Sequence, residues 1–381
     1  FRDNLEHGVS FPRLSAGLGP RHPKDTPPFS SFQSTTFGYI SDALEDMATA
    51  YSLFPDSPEK ARCMFQRARV HSRTGSLQDA LNDLASALSL DPAVEHAYAL
   101  RAEVEAKLGQ HALAISDIDR ELARTAPPGF TASILTFRAH ELQESRQYRS
   151  AVDDLARALL LDPDSPGILG EMGLCLLMQG DLPAAIAGFN HVLEIEPSDP
   201  KALNNLGLCL SLEGRHSEAI PSFQKALASS PNRPDRVSGT RNLALSLAAT
   251  GSIPQATELL ALAQREDPES IQTTIARAQL EWFKGNDELS LRLHSEAERK
   301  DPDPRAVNLL RVLPLLTQGR TREAIEVVDS WQQSGPNPVE LLRVRAELWQ
   351  LKIRSPSTPG TDATIARLEA TSQSLSPQGD E

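Results

Sequence analysis

A glycine returns every 34 residues along this chain, and that register constrains the fold more than any other feature of its 381 residues. Gly75, Gly109, Gly180, Gly214, Gly251, Gly285 and Gly319 recur at spacings of 34 or 37, with a doubled interval from 109 to 180 in which Arg146 holds the glycine's place. An alanine follows five residues behind at Ala80, Ala114, Ala151, Ala185, Ala219, Ala256 and Ala324, with Ser290 standing in once. Proline closes the units at Pro92, Pro163, Pro197, Pro231, Pro268, Pro302 and Pro336. Length alone would suggest two or three globular domains. Three markers in one register replace that count with a repeat array.

Each marker has a mechanical reason. Glycine permits the left-handed turn that ends a first helix, and proline, with the extended residue before it, stops a second. Each unit therefore reads as a helix hairpin. The eighth residue of the first helix is usually small (Ala68, Ala102, Ala139, Gly173, Gly207, Ala244, Ala278, Val312), and is expected to face the alanine of the second helix so that the two axes approach closely. Around that contact, the unit from 200 to 233 sets Leu203, Leu206, Leu210, Ile220, Phe223 and Leu227 at helical spacings. One hairpin alone leaves half of such a face wet, so neighbours must stack.

The stretch LNNLGLCLSLEGRHSEAIPSFQKALASSP, residues 203–231, resembles a tetratricopeptide repeat in its Leu-Gly, Gly, Ala, Phe, Ala and Pro marks, with leucines where that family prefers Trp and Tyr. The resemblance implies an all-α, right-handed superhelical solenoid of antiparallel helix hairpins. Eight repeats start near 61, 95, 132, 166, 200, 237, 271 and 305. They fill 56–338, after a Pro/Ser/Phe-rich tail (1–38) and a half-repeat capping helix (39–55). An irregular C-terminal hairpin cap (339–376) and a short tail (377–381) follow. Insertions near 125–130 and 230–237 fall between hairpins, where extra length costs about 0.5 kcal/mol or less.

Several function classes are excluded or disfavoured. A net charge of −13 argues against wholesale binding of nucleic acid or an anionic membrane surface. No apolar run approaches a membrane span, so direct membrane insertion is not expected. Cys63, Cys175 and Cys209 match no CxxC pattern; Cys175 and Cys209 sit one repeat apart on successive first helices, beyond disulfide reach, and read as small buried apolar groups. There is no GxSxG, P-loop, GxGxxG or HExxH, and no catalytic residue, cofactor or metal site is assigned.

In tetratricopeptide proteins the first helices line a concave groove, and the resemblance assigns the second, fifth, ninth, twelfth and thirteenth places of each repeat to it. Toward repeats one to three these places are polar: Arg62, Arg69, Arg73, His96, Glu103, Lys107 and His140. In repeats four to eight they turn apolar, with Leu174, Leu177, Met178, Leu208, Leu212, Leu245, Ile275, Trp282, Phe283, Leu309, Leu313 and Leu316, while Asn204 and Arg241 supply polar handles. Gly167 and Gly170 offer a bare floor in the fourth repeat, or else a frayed helix start. The chaperone-tail clamp of Lys and Asn on successive first helices is not matched, since Phe65, Ala99 and Thr136 hold the fifth places.

The expected function is a non-catalytic scaffold or adaptor that binds a protein or peptide segment in the groove, placed by default in the cytoplasm. Trp282→Ala with Leu313→Ala should then weaken partner binding while melting stays nearly intact. A second reading makes the chain a regulatory or substrate-recruiting region of a larger enzyme or envelope assembly whose other domain lies upstream. A third lets the tail phenylalanines Phe11, Phe29, Phe32 and Phe37 occupy the groove.

Overall fold

Seven glycines of the register adopt left-handed φ values between +72° and +91°, and Arg146 joins them at +58°. The turn therefore demands this conformation wherever it recurs, even from a residue with a Cβ. These turns belong to a computed structural model that describes residues 58–124, 127–229, 233–301, 309–333, 338–354, 362–368 and 370. The expected tail and half-repeat helix before residue 56, with the four tail phenylalanines, lie outside the described residues.

The chain divides into two compact units between Asp162 and Pro163. In the first, three hairpins pair α1 (Pro58–Thr74) with α2 (Leu77–Leu90), α3 (Ala97–Lys107) with α4 (His111–Leu122), and α5 (Pro128–Glu144) with α6 (Tyr148–Leu161). Each second helix also packs on the next first helix, α2 on α3 and α4 on α5, and first helix α1 touches first helix α3.

The second unit continues the pattern. It pairs α7 (Pro166–Gln179) with α8 (Leu182–Ile195), α9 (Pro200–Leu212) with α10 (His216–Ser229), α11 (Arg233–Ala249) with α12 (Ile253–Glu266), and α13 (Ile271–Phe283) with α14 (Asp287–Lys300). A 3-10 turn (Leu309–Arg311) runs into the short α15 (Val312–Thr317), which pairs with α16 (Thr321–Gln333); α17 (Pro338–Arg354) follows. First helices α7, α9, α11 and α13 stand side by side. This row is the side to which the resemblance assigned the groove, called the inner side below.

The close approach within a hairpin also admits a second partner. A Cβ on Gly173 would meet Phe189 Cε1 at 2.8 Å, and one on Gly207 would meet Phe223 Cε1 at 2.8 Å. The small residue thus receives a phenylalanine ring, one turn beyond the alanine it was expected to face. Phe189 and Phe223 are buried, each contributing about 2–3 kcal/mol through apolar burial. In the seventh repeat, Ser290 takes the alanine's place without leaving its hydroxyl unsatisfied: Oγ donates to the Ala278 carbonyl at 2.7 Å. The start of α7 is not frayed. Its helix begins at Pro166, and a Cβ on Gly167 or Gly170 would meet nothing within 4 Å.

The C-terminal helix does more than close the last hairpin. α17 packs against α7, α9, the 3-10 turn and α15, all on the inner side of the second unit. Leu341, Val344 and Leu348 of α17 join a buried cluster with Trp282, Leu309, Leu313 and Trp331. Beyond it, residues 362–368 are helical and bury Thr364 and Leu368, while Arg367 Nε donates to Asp329 Oδ1 at 2.8 Å.

Candidate functional site

The polar groove places of the first unit lie on α1, α3 and α5, and at the turn before α3. Arg62, Arg73, Lys107 and His140 are exposed; Arg69, His96 and Glu103 are half-buried. Their charges engage one another more than sequence spacing alone suggests. Lys107 Nζ lies 2.7 Å from Glu103 Oε1 one turn earlier and donates to Ser72 Oγ at 3.4 Å. Arg69 donates to Gln66 Oε1 at 3.0 Å, and desolvation, then the like charge of Arg73, lowers its pKa. His96 sits in a left-handed conformation before α3, with Nδ1 3.3 Å from Glu121 Oε1 and its ring 4.3 Å from that of Phe130. Among the described residues no trio of His, Cys, Asp or Glu is arranged to hold a metal.

Behind this face runs a ladder of cross-hairpin ion pairs that the groove assignment did not include. Arg67 Nε donates to Asp83 Oδ2 at 2.8 Å, Arg101 Nη2 to Asp117 Oδ1 at 2.7 Å, and Arg138 to Asp154 through two bonds of 2.6 Å. The three aspartates are buried. The signal is present in the sequence: an arginine at the seventh place and an aspartate 16 residues on, in three consecutive repeats. In the next five repeats the same places carry Met172 and Gly188, Leu206 and Ser222, Leu243 and Leu259, Arg277 and Leu293, and Arg311 and Val327, so the Arg-Asp pairing is confined to the first unit. Between the rungs, burial and then the neighbouring Asp117 raise the Glu105 pKa to about 7, against the opposing pull of Arg101 and Arg120.

In the second unit several of the apolar places assigned to the groove pack against α17 or line a cavity beside it. Leu177, Leu212, Trp282, Leu309, Leu313 and Leu316 are buried; Leu174, Met178, Leu208, Leu245, Ile275 and Phe283 are half-buried. Leu342 of α17 comes within 3.8 Å of where a Cβ on Gly180 would stand. A small cavity remains between α17 and the wall, lined by Leu208 and Leu212 of α9, Asn242 and Leu245 of α11, Gln279 of α13, and Arg343, Ala346 and Glu347 of α17, among others. Of the polar handles, Asn204 accepts at Oδ1 from Nδ2 of the cavity-lining Asn242 at 3.2 Å, and Arg241 donates to Ser238 Oγ at 3.2 Å.

Two of these placements correct the sequence reading. Trp282 and Leu313 belong to a buried cluster, and Leu313 is 1% exposed. Truncating both would open a cavity costing several kcal/mol, of the order of 2–5 for a leucine alone, so melting would not stay intact. The roles of Arg343, Glu347 and Gln279 at the inner surface were not read from sequence. Gln279 stands at a ninth place, so register could have found it; α17 carries no repeat register that could have.

The cysteines behave as small core groups. Cys175 and Cys209 are buried and unbridged, and burial pushes both thiols up to about 12.

Comparison with known proteins agrees with this architecture. Two family models, both described as tetratricopeptide repeat, match residues 164–232 for one and residues 65–129 and 214–271 for the other. No curated protein matches the sequence. Among solved structures, a tetratricopeptide repeat protein from Parabacteroides merdae is 17% identical over 67% of this chain and 98% of its own, with a TM-score of 0.56, which supports the fold. YrrB, titled a TPR protein with an unusual peptide-binding site, is 21% identical over 51% of this chain and 97% of its own, at TM-score 0.44. PilF of Pseudomonas aeruginosa is 19% identical over 58% and 99%, at TM-score 0.47. A 34-residue hairpin register whose turns are left-handed in both compact units, with matched segments in each, makes this chain a member of the tetratricopeptide repeat family.

Proposed function

We propose that the chain is a non-catalytic scaffold that takes segments of partner proteins on the inner row of its first helices. Tetratricopeptide repeats generally mediate protein–protein interactions. The observation that carries the reading is α17: the inner row of the second unit accommodates a whole helix, laid against α7, α9 and α15. That is the helix-in-groove mode of recognition, met here within one chain. The first unit supports the reading differently, through the exposed cations Arg62, Arg73 and Lys107, which suit carboxylates of a partner.

The test is a quantitative pull-down with the full chain and an Arg62→Glu/Arg73→Glu variant. Both side chains are exposed, so circular dichroism and melting should be unchanged. Partners that use the cationic face should be lost from the variant. An identical set of bound proteins, in identical amounts, would remove the first unit's inner face from the proposal.

A further inference from the structure

The composition of α17 does not suit a permanent core element. A helix enclosed on several sides is ordinarily apolar all round. α17 buries Leu341, Val344, Ala346, Glu347 and Leu348 within a stretch that also carries Glu340, Arg343 and Arg345. It is an amphipathic sequence fit for a wet surface, seated in an enclosed one. Its apolar stripe, at 341, 344 and 348, meets the leucines of the wall, and the stripe beside it is charged.

The charged stripe is imperfectly matched. Burial first, and then the like charge of Arg343 on α17, lower the Arg241 pKa to about 10, against the opposing pull of Asp267. Glu340 accepts a bond from Trp331 Nε1 at 2.7 Å, and with Glu347 it partly offsets the charge of Arg343. Gln279, lining the same cavity as Glu347, keeps a buried Oε1 with no hydrogen-bond partner among the described residues. A like-charge contact and an unmet acceptor at low dielectric both weaken the seating of this helix.

We propose that the inner surface of the second unit is a helix-binding channel whose resident occupant, α17, yields to a partner's amphipathic helix with the same apolar stripe and an acidic residue where α17 has Arg343. The inference rests on the scaffold reading and adds both a regulation and a partner chemistry to it. An acid at that position pairs with Arg241 instead of repelling it. Because α17 is tethered, it competes at a high effective concentration, and only a helix with better contacts, or one meeting a loosened α17, displaces it.

The experiment uses the full chain with a protease site inserted between residues 333 and 338, cut after folding. Labelled peptides spanning 338–354, with the native sequence and with Arg343→Glu, are titrated by fluorescence anisotropy. The cut chain should exchange its own α17 for the native peptide, while the uncut chain binds at least about tenfold more weakly, because the tethered copy competes. The Arg343→Glu peptide should bind about threefold to tenfold tighter than the native one, as repulsion becomes attraction. Uncut Leu341→Asp chain, which disfavours the seated helix, should gain peptide binding in the same way. Failure of both peptides to bind the cut chain and the Leu341→Asp chain overturns the channel, as does loss of cooperative melting on cutting, which would make α17 core. Equal affinities of the two peptides overturn the acidic partner. These failures would remove α17 as support for the scaffold reading but leave the first unit's cationic inner face, which the Arg62→Glu/Arg73→Glu variant tests separately.

Discussion

Arg138 reaches across its hairpin to Asp154 through two parallel bonds of 2.6 Å, Nε to Oδ2 and Nη2 to Oδ1, with the carboxylate buried and the guanidinium only partly so. This fork is the third rung of the ladder begun by Arg67 with Asp83 and Arg101 with Asp117. Arg138 also pairs with Asp119 of the preceding hairpin, so the third rung ties neighbouring repeats together.

Removing one member of the fork strands the other. Asp154→Ala is expected to destabilise the first unit by about 2–3 kcal/mol, because a half-buried guanidinium loses its bidentate partner. Replacing both, Arg138→Met with Asp154→Leu, should recover most of that loss. Urea denaturation of the two variants checks it, and a double variant no more stable than Asp154→Ala would show that the pair is not the cause.

Two glycines of the second unit should respond to alanine with opposite signs. At Gly207 the new methyl meets the Phe223 ring at 2.8 Å, within a hairpin whose axes depend on that contact, and a loss of about 1–3 kcal/mol is expected. At Gly170 the methyl meets nothing within 4 Å inside a regular helix, and a gain of about 0.5–1 kcal/mol is expected. Thermal melts of the two variants should move in opposite directions.

Glu105 makes the first unit sensitive to pH. Its pKa in the fold, about 7, stands above the 4.5 of a free glutamate, so between those values the native state holds a proton that the unfolded chain has released. Stability from this group is therefore full below about pH 4.5 and falls as pH rises toward and through 7. Glu105→Gln keeps the shape without the titration. It should be more stable than the parent by about 1–2 kcal/mol at pH 8 and nearly equal to it at pH 4.5. A pH-independent difference in denaturation midpoint would assign the effect to packing.

Cys175 and Cys209 should resist thiol reagents in the native state. Both are fully buried and their thiols are pushed up to about 12, which leaves little thiolate at pH 8. Labelling with a chromogenic disulfide should consume at most one thiol per native chain, from the half-buried Cys63, and three after denaturation. Rapid labelling of two or more native thiols would contradict the burial.

The register of glycine, alanine and proline was legible because each marker answers a local demand. A left-handed turn needs a residue that tolerates positive φ, and a helix stop needs a residue without an amide hydrogen. The Arg-Asp ladder was equally present at a fixed spacing of 16, yet it draws its meaning from two helices lying antiparallel. Phe189 and Phe223 against Gly173 and Gly207 show the same limit at short range, since sequence marked the small residue but not which bulky neighbour would fill it.

By itself the sequence determined the hairpin, its period, the turns, and which places on the first helices share a side. Only the tertiary structure decided what lies on that side. The stretch PVELLRVRAELWQLKIR shows an apolar stripe, but amphipathicity states that a face will be covered and not by what, and α17 meets α7 and α9 across well over a hundred residues of chain. Helix formation is set by neighbours three and four residues apart, whereas the choice of a surface is settled by burial and charge between segments far apart in sequence. The like charges of the half-buried Arg241 and Arg343 act on each other only because of that choice.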